Sequence, residues 1–201
     1  MIPDLAAAAM RAVTGVVPRW VGCGPEPRPR IYFANHSSHL DGPTIWGTLP
    51  RSLRRLTRPV AAHDYWTASR FRRYLATQVF NAVLVERKNP TPRNNPLDHM
   101  LAAMGAESSL IVFPEGTRFH NPEPAEFKPG LYYLAKRRPD LELVPVLLDN
   151  LNRILPKGEL LPVPLIGSVT FGAPIRLEEH EGRDQFLTRA RQSVIDLRTN
   201  R

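Results

Sequence analysis

The chain has 201 residues, 42% hydrophobic and 23% charged, the proportions of an ordinary globular domain with a core that needs no cross-links. Its single cysteine, Cys23, excludes an internal disulfide framework and a zinc ribbon, and the composition excludes collagen, a coiled coil and wholesale disorder. The formal net charge is +8, with 14 Lys/Arg against 6 Asp/Glu in residues 1–100 and 13 of each in 101–201.

The whole basic excess therefore lies in the first half. Arg51, Arg54, Arg55, Arg58, Arg70, Arg72 and Arg73 face only Asp64 between positions 51 and 73. Such a field suits phospholipid headgroups, nucleic acid or phosphorylated small molecules. The 21 prolines, about twice the usual share, mostly flank apolar runs and punctuate many short elements.

No apolar run approaches the ~18 residues of a membrane-spanning helix. Residues 1–21 read as one amphipathic helix, with Leu5, Ala9, Ala12, Val13, Val16, Val17 and Trp20 at helical spacing. Two roles fit it: lying in a membrane interface with Trp20 at headgroup level, or packing as the first core helix. Asp4 and the lack of an early basic residue argue against an export signal, so a cytoplasmic location is expected.

Residues 22–201 read as one α/β domain. A Gly/Pro-rich linker (22–30) leads to the strand Ile31–Ala34, and Pro43 suits the first turn of a helix carrying Ile45 and Trp46. Val60–Ala62 is a strand, 64–76 a helix and Ala82–Val85 a third strand. Asn94 or Asn95 caps a helix opened by Pro96 and running through Met104. Leu110–Phe113 is a strand stopped by Pro114, and Leu131–Arg138 a helix ended by Pro139. Val144–Leu148 is a further strand. One or two more fall within Val163–Ile175, broken by Gly172. Phe186, Ala190, Val194 and Leu197 mark an amphipathic C-terminal helix with Asp184 as its cap. Strands alternating with helices predict a central, largely buried mixed sheet flanked by helices.

Two polar segments directly follow strands, where open α/β sheets place their ligands. The first is Asn35-His36-Ser37-Ser38-His39-Leu40-Asp41. Five residues along one helix stand about 140° apart, so His36 and Asp41 meet only if His36 lies in the loop and Asp41 opens the next helix. A carboxylate on one imidazole nitrogen fixes the tautomer and leaves the other nitrogen as a base that can activate a hydroxyl. The plain alternative is a polar loop histidine and a capping aspartate. His36, His39 and Asp41 could also ligate a metal together, although their spacing fits no strong zinc signature; a serine-nucleophile reading is weak because a Gly-x-Ser-x-Gly elbow is absent.

The second segment is Phe113-Pro114-Glu115-Gly116-Thr117-Arg118. Gly116 permits a tight turn, Thr117 and nearby amides can donate, and Arg118 can fork onto a phosphate. An ordinary turn with a surface Glu–Arg pair is the alternative. A third site, Val83-Leu84-Val85-Glu86-Arg87, ends a strand with an arginine.

His36-x4-Asp41, Arg87, the 113–118 motif, Phe127-Lys128-Pro129-Gly130 and the Val144-Pro145-Val146 strand occur in the order of the glycerolipid acyltransferases. The chain is most similar to the 1-acylglycerol-3-phosphate acyltransferases, over roughly residues 30–175. The resemblance implies that His36 is the general base, with Asp41 orienting it. It implies that Arg87, Glu115, Gly116, Thr117 and Arg118 hold a phosphorylated acceptor, and that Pro145 lies on the strand lining the acyl-donor side. It further implies direct attack by the acceptor hydroxyl, with Ser37, Ser38 and Cys23 not acting as nucleophiles. No metal or organic cofactor is implied; acyl-CoA or acyl carrier protein is the co-substrate and a lysophospholipid the acceptor. Many relatives carry a lysine after the first motif to hold the oxyanion. Here that stretch reads Ala61-Ala62-His63-Asp64, leaving His63 or backbone amides for the role.

The expected function is transfer of a fatty acyl group to lysophosphatidic acid at the cytoplasmic face of an anionic membrane, by a peripheral or monotopic enzyme. The same chemistry on another lysophospholipid or a lipid alcohol is an alternative. A non-catalytic basic membrane- or nucleic-acid-binding module is another. Nucleic acid is disfavoured because no recognisable module is present and aromatics are only 8% of the chain.

Overall fold

The computed structural model describes residues 2–86, 95–119, 121, 123–149 and 167–199. Helix α1 (Ile2–Thr14) is followed by β1 (Val17–Trp20), β2 (Arg30–Ala34), α2 (Asp41–Thr48), α3 (Arg51–Leu56) and β3 (Thr57–Ala62). Then come α4 (His63–Trp66), α5 (Arg70–Tyr74), a π-helical turn (Leu75–Val79), β4 (Val83–Val85), α6 (Pro96–Met104) and β5 (Ser109–Val112). The chain closes with α7 (Gly130–Arg137), β6 (Glu142–Asp149), β7 (Ser168–Phe171) and α8 (Arg183–Asp196).

The described strands form one sheet in the order β1-β7-β6-β2-β5-β3-β4. The run from β6 to β4 is parallel, and β7, with β1 beside it, runs opposite. Alternate residues feed two apolar layers, as the pleat requires. Ile31, Phe33, Leu110 and Leu143 face α6, α7 and α8; Tyr32, Ala34, Ile111 and Val144 face α1, α2 and the π turn. All five residues of β2 are buried, as expected of a strand covered on both faces.

The amino end of the sheet is pinned by a buried ion pair. Arg30, 1% exposed, donates to Glu142 Oε2 (3.0 Å) and to the Gly24 carbonyl (2.7 Å). This ties the Gly/Pro-rich linker to the start of β6.

Three expectations are corrected. Residues 1–21 are not one helix. Gly15, at φ +60°, ends α1 by donating its N–H to Arg11, and Pro18 cannot extend a helix. Val17–Trp20 instead pairs with β7, and Trp20 stacks on Phe171 at 4.0 Å. One face of α1 packs on α2: Ala7 is buried, and a Cβ on Gly47 would stand 3.2 Å from Met10 Cβ. Ile2, Leu5 and Val13 remain exposed on the other face.

The predicted helix over 64–76 is broken. Ser69 caps a new start by accepting from Arg72 N, so α4 and α5 are separate, and the chain then passes into the π turn. At the C-terminus Gly182, not Asp184, occupies the cap of α8. Asp184 lies in the first turn, where a hydrogen bond from Arg183 holds its carboxyl below the usual range. Asn95 does cap α6, accepting from Leu97 N at 3.0 Å. Of the Val163–Ile175 expectation, β7 and a bridge from Ile175 to Leu143 are seen; 163–166 lie outside the described residues.

Pro59 shapes the carboxyl edge. Lacking an N–H, it ends the pairing of β3 with β5 (through Pro59↔Ile111), and from Val60 onward β3 pairs with β4. Between the diverging strands the sheet opens toward the loops that follow β2 and β5.

Candidate active site

Parallel pairing of β2 with β5, in register at Phe33↔Val112, brings both polar segments to the same edge. Asn35 fastens the first. Its Oδ1 accepts from Leu148 N (2.8 Å) and its Nδ2 donates to Leu148 O (2.9 Å). The side chain thus continues the β2–β6 ladder where β2 ends.

His36 follows in the loop, and Asp41 is the first residue of α2. Nδ1 of His36 lies 2.8 Å from Asp41 Oδ2. The same oxygen accepts from Ser37 N (2.6 Å) and Ser38 N (2.8 Å), and Asp41 is fully buried. An oxygen already accepting two amides is an acceptor to the imidazole as well. Nδ1 therefore carries the proton and Nε2 is the basic nitrogen. The sequence-predicted geometry, loop histidine and helix-opening aspartate, is what the structure has. The Asp41 carboxylate turns back onto the loop, and the cap position is Leu40.

The second segment clamps the first. Phe113 stacks on the His36 ring at 4.2 Å. Glu115 Oε1 accepts from His36 N (2.6 Å), Oε2 accepts from Ala125 N (2.9 Å), and Phe119 N donates to His36 O (2.9 Å). Glu115 is 1% exposed; burial pushes its carboxyl up despite the two amides. Both its oxygens are committed to backbone, so it positions His36 rather than facing a ligand. This departs from the acceptor-holding role that the resemblance implied.

A cavity of about 590 Å³ opens beside His36, within the size range of ligand sites. Its polar end carries His36, His39, Gly116, Arg118 and Lys128; its apolar end is formed by Val60, Val85, Met100, Val112, Leu131 and Leu134. Gly116 has φ +72°, and a Cβ there would come within 3.0 Å of Lys128 Cδ and Cε. The glycine lets the lysine stem lie across the turn. Thr117 is exposed and does not line the cavity. Arg87 lies outside the described residues. Pro145 lies away from the cavity: a Cβ on Gly172 would stand 3.0 Å from its Cγ and 2.8 Å from Leu197, so its ring faces α8.

Several cavity residues have weaker sequence signals. His39 stacks on Tyr65 at 4.3 Å, and Arg72 lies over the same ring at 4.6 Å. Burial, with help from Arg118, His36 and Arg72, lowers the His39 pKa to about 4, so this imidazole is neutral at pH 7. Its ring is committed to the stack and Asp41 to the loop amides. Among the described residues no three His, Cys, Asp or Glu side chains are placed to hold a metal ion. His63 turns to Glu86 at 3.1 Å and does not line the cavity; among the described residues Arg118 and Lys128 are the lysine and arginine that do. Lys128 was visible in sequence only as part of Phe127–Gly130; its arrival over Gly116 comes from the turn.

The site thus sets a paired imidazole and carboxylate beside a pocket that carries both cationic and apolar side chains. The acyltransferase family model matches residues 23–149, more than half of the chain, and the chain belongs to that family. It is 28% identical to a 1-acyl-sn-glycerol-3-phosphate acyltransferase of Chlamydomonas reinhardtii over 85% of this chain and 48% of that protein. It is 26% identical to a coconut (Cocos nucifera) enzyme of the same name over 75% and 47%. The chain thus spans about half the length of these curated relatives. Among solved structures, the 1-acyl-sn-glycerophosphate acyltransferase of Thermotoga maritima superposes with a TM-score of 0.71 at 19% identity, over 98% of this chain and 78% of that one, which shows the same fold.

Proposed function

We propose that the protein transfers a fatty acyl group from acyl-CoA or acyl carrier protein to the free hydroxyl of lysophosphatidic acid, giving phosphatidic acid. The observation that carries this reading is the His36–Asp41 pair, 2.8 Å apart, at the polar end of a cavity whose other end is apolar. The acceptor hydroxyl gives its proton to His36 Nε2 as its oxygen bonds to the thioester carbonyl carbon. The resulting oxyanion collapses, the carbon–sulfur bond breaks, and the thiolate leaves with the proton from His36. Asp41 stabilises the imidazolium in between. Such base catalysis is worth ~10²–10⁴-fold; positioning and charge stabilisation supply the remainder.

Arg118, with Lys128 beside it, suits the acceptor's phosphate, and the apolar end suits the acyl chain. The chemistry calls on no metal or organic cofactor. The basic first half fits a peripheral enzyme at the cytoplasmic face of an anionic membrane, since acceptor, donors and surface are all anionic. No helix among the described residues is long and apolar enough to cross a bilayer. The test is a screen of purified protein with acyl-CoA against a panel of lysophospholipids, following thiol release. Release with lysophosphatidic acid is expected. Release only with another acceptor reassigns the substrate, and none with any acceptor refutes the reading.

A further inference from the structure

Helix α5 is exposed along its whole length. All five residues from Arg70 to Tyr74 are exposed, with Phe71 at 69% and Tyr74 at 45%. Phe71 and Tyr74 are three apart and share a face, and Arg70 and Arg73 share the neighbouring one. Among the described residues neither of these two arginines meets a carboxylate. The helix therefore holds two large aromatic groups and unneutralised charge in water with no core to repay it.

Its place in the fold is specific. Arg72 lies over Tyr65, Tyr65 stacks on His39, and Tyr65, Trp66 and Ala68 line the cavity. The stack fastens the segment that carries α5 beside the cavity mouth. The π turn that continues α5 also touches α1, whose Ile2 and Leu5 are exposed.

We propose that α5 is a docking element for an anionic phospholipid bilayer. Phe71 and Tyr74 enter the headgroup layer and Arg70 and Arg73 pair with lipid phosphates, so the cavity mouth meets the surface holding the acceptor. The choice of partner rests on charge complementarity together with the aromatic pair. Aromatic rings at headgroup depth beside cationic side chains are the pattern of an interfacial helix, and the cationic contribution is screened by salt. The orientation of the mouth rests on the acyltransferase reading above; the binding surface does not.

The test is co-sedimentation of the full chain with phosphatidylcholine vesicles, with and without about one-third phosphatidylglycerol, at low and high salt. Wild type is compared with Phe71→Ser/Tyr74→Ser and with Arg70→Gln/Arg73→Gln. Each double variant should bind anionic vesicles roughly tenfold more weakly, with its melting temperature and its turnover on a short-chain, monomeric lysophosphatidic acid unchanged. High salt should weaken wild type but change the arginine variant little.

A second readout is independent of binding strength. Phe71→Trp should add quenching by acyl-brominated lipid over wild type. Tyr133→Trp, on α7 in the opposite helix layer, should not. Undiminished binding by both double variants overturns the proposal, as does loss of binding only on Ile2→Ser/Leu5→Ser. Binding to an acidic carrier protein without binding to vesicles also overturns it. Loss of vesicle binding in the double variants, with no acyl transfer by wild type, sustains the surface and refutes only the enzymatic reading.

Discussion

Replacing Asp41 by asparagine tests how the dyad is built. In the structure one oxygen, Oδ2, takes all three hydrogen bonds, from His36 Nδ1, Ser37 N and Ser38 N, while Oδ1 is buried with no partner among the described residues. In Asp41→Asn the two backbone donors require the amide oxygen at the Oδ2 position, which puts the NH₂ where Oδ1 was. His36 then keeps its tautomer and loses only the negative charge behind its imidazolium. A hydrogen bond to a charged group is worth about 1–2 kcal/mol more than a neutral one, so kcat should fall roughly 5- to 30-fold. The newly buried NH₂ should cost about 1–3 kcal/mol of stability. His36→Ala removes the base and should lower kcat ~10²-fold or more. Asp41→Ala strands two amides as well as the imidazole and should match it in rate while costing more stability. Steady-state thiol release and urea denaturation of the three variants separate these outcomes. An Asp41→Asn enzyme as inactive as His36→Ala would refute the reasoning, because the asparagine would then have reversed the tautomer.

Arg118→Ala should raise KM for lysophosphatidic acid by roughly 10- to 100-fold through loss of a charge-assisted contact. The loss should be smaller for an acceptor lacking the phosphate monoester, and equal losses would make the arginine structural. His39 binds its proton less tightly folded, at about 4, than its ordinary value of 6.5. Stability should therefore fall as pH drops from about 6.5 toward 4, and His39→Gln should flatten that part of a denaturation-midpoint profile. Arg30→Met breaks the buried pair with Glu142 and should cost about 3 kcal/mol. Glu142 keeps Arg28 at 3.0 Å, and kcat of the folded protein should not change. Removing residues 2–20 deletes β1 and should give unfolded protein by circular dichroism, whereas Leu5→Ser should melt like wild type. Cys23→Ala and Ser37→Ala/Ser38→Ala should keep substantial turnover, and the donor alone should leave no acyl mass on the intact protein.

Local pattern alone determined much of this chain. Short apolar runs marked β2, β4, β5 and β6, and in β2, β5 and β6 the run is unbroken because a strand buried on both faces needs no alternation. Asn95-Pro96 marked the start of α6, because capping is a local hydrogen bond. His36-x4-Asp41 implied a loop-to-helix boundary, because only there can residues five apart touch. What depended on distant partners was not legible. Val17–Trp20 has the same apolar spacing as a continuing helix, and only pairing with β7, some 150 residues later, makes it a strand. Glu115 reads as a surface acid until β2 and β5 pair and place it under His36 N. The cavity lies where β3 passes from pairing with β5 to pairing with β4, and Lys128 lies over Gly116 because the glycine leaves room for its stem. Spacing along the chain encodes the contacts of a turn or a cap; contacts across the sheet follow from strand order and register, which only the assembled fold decides.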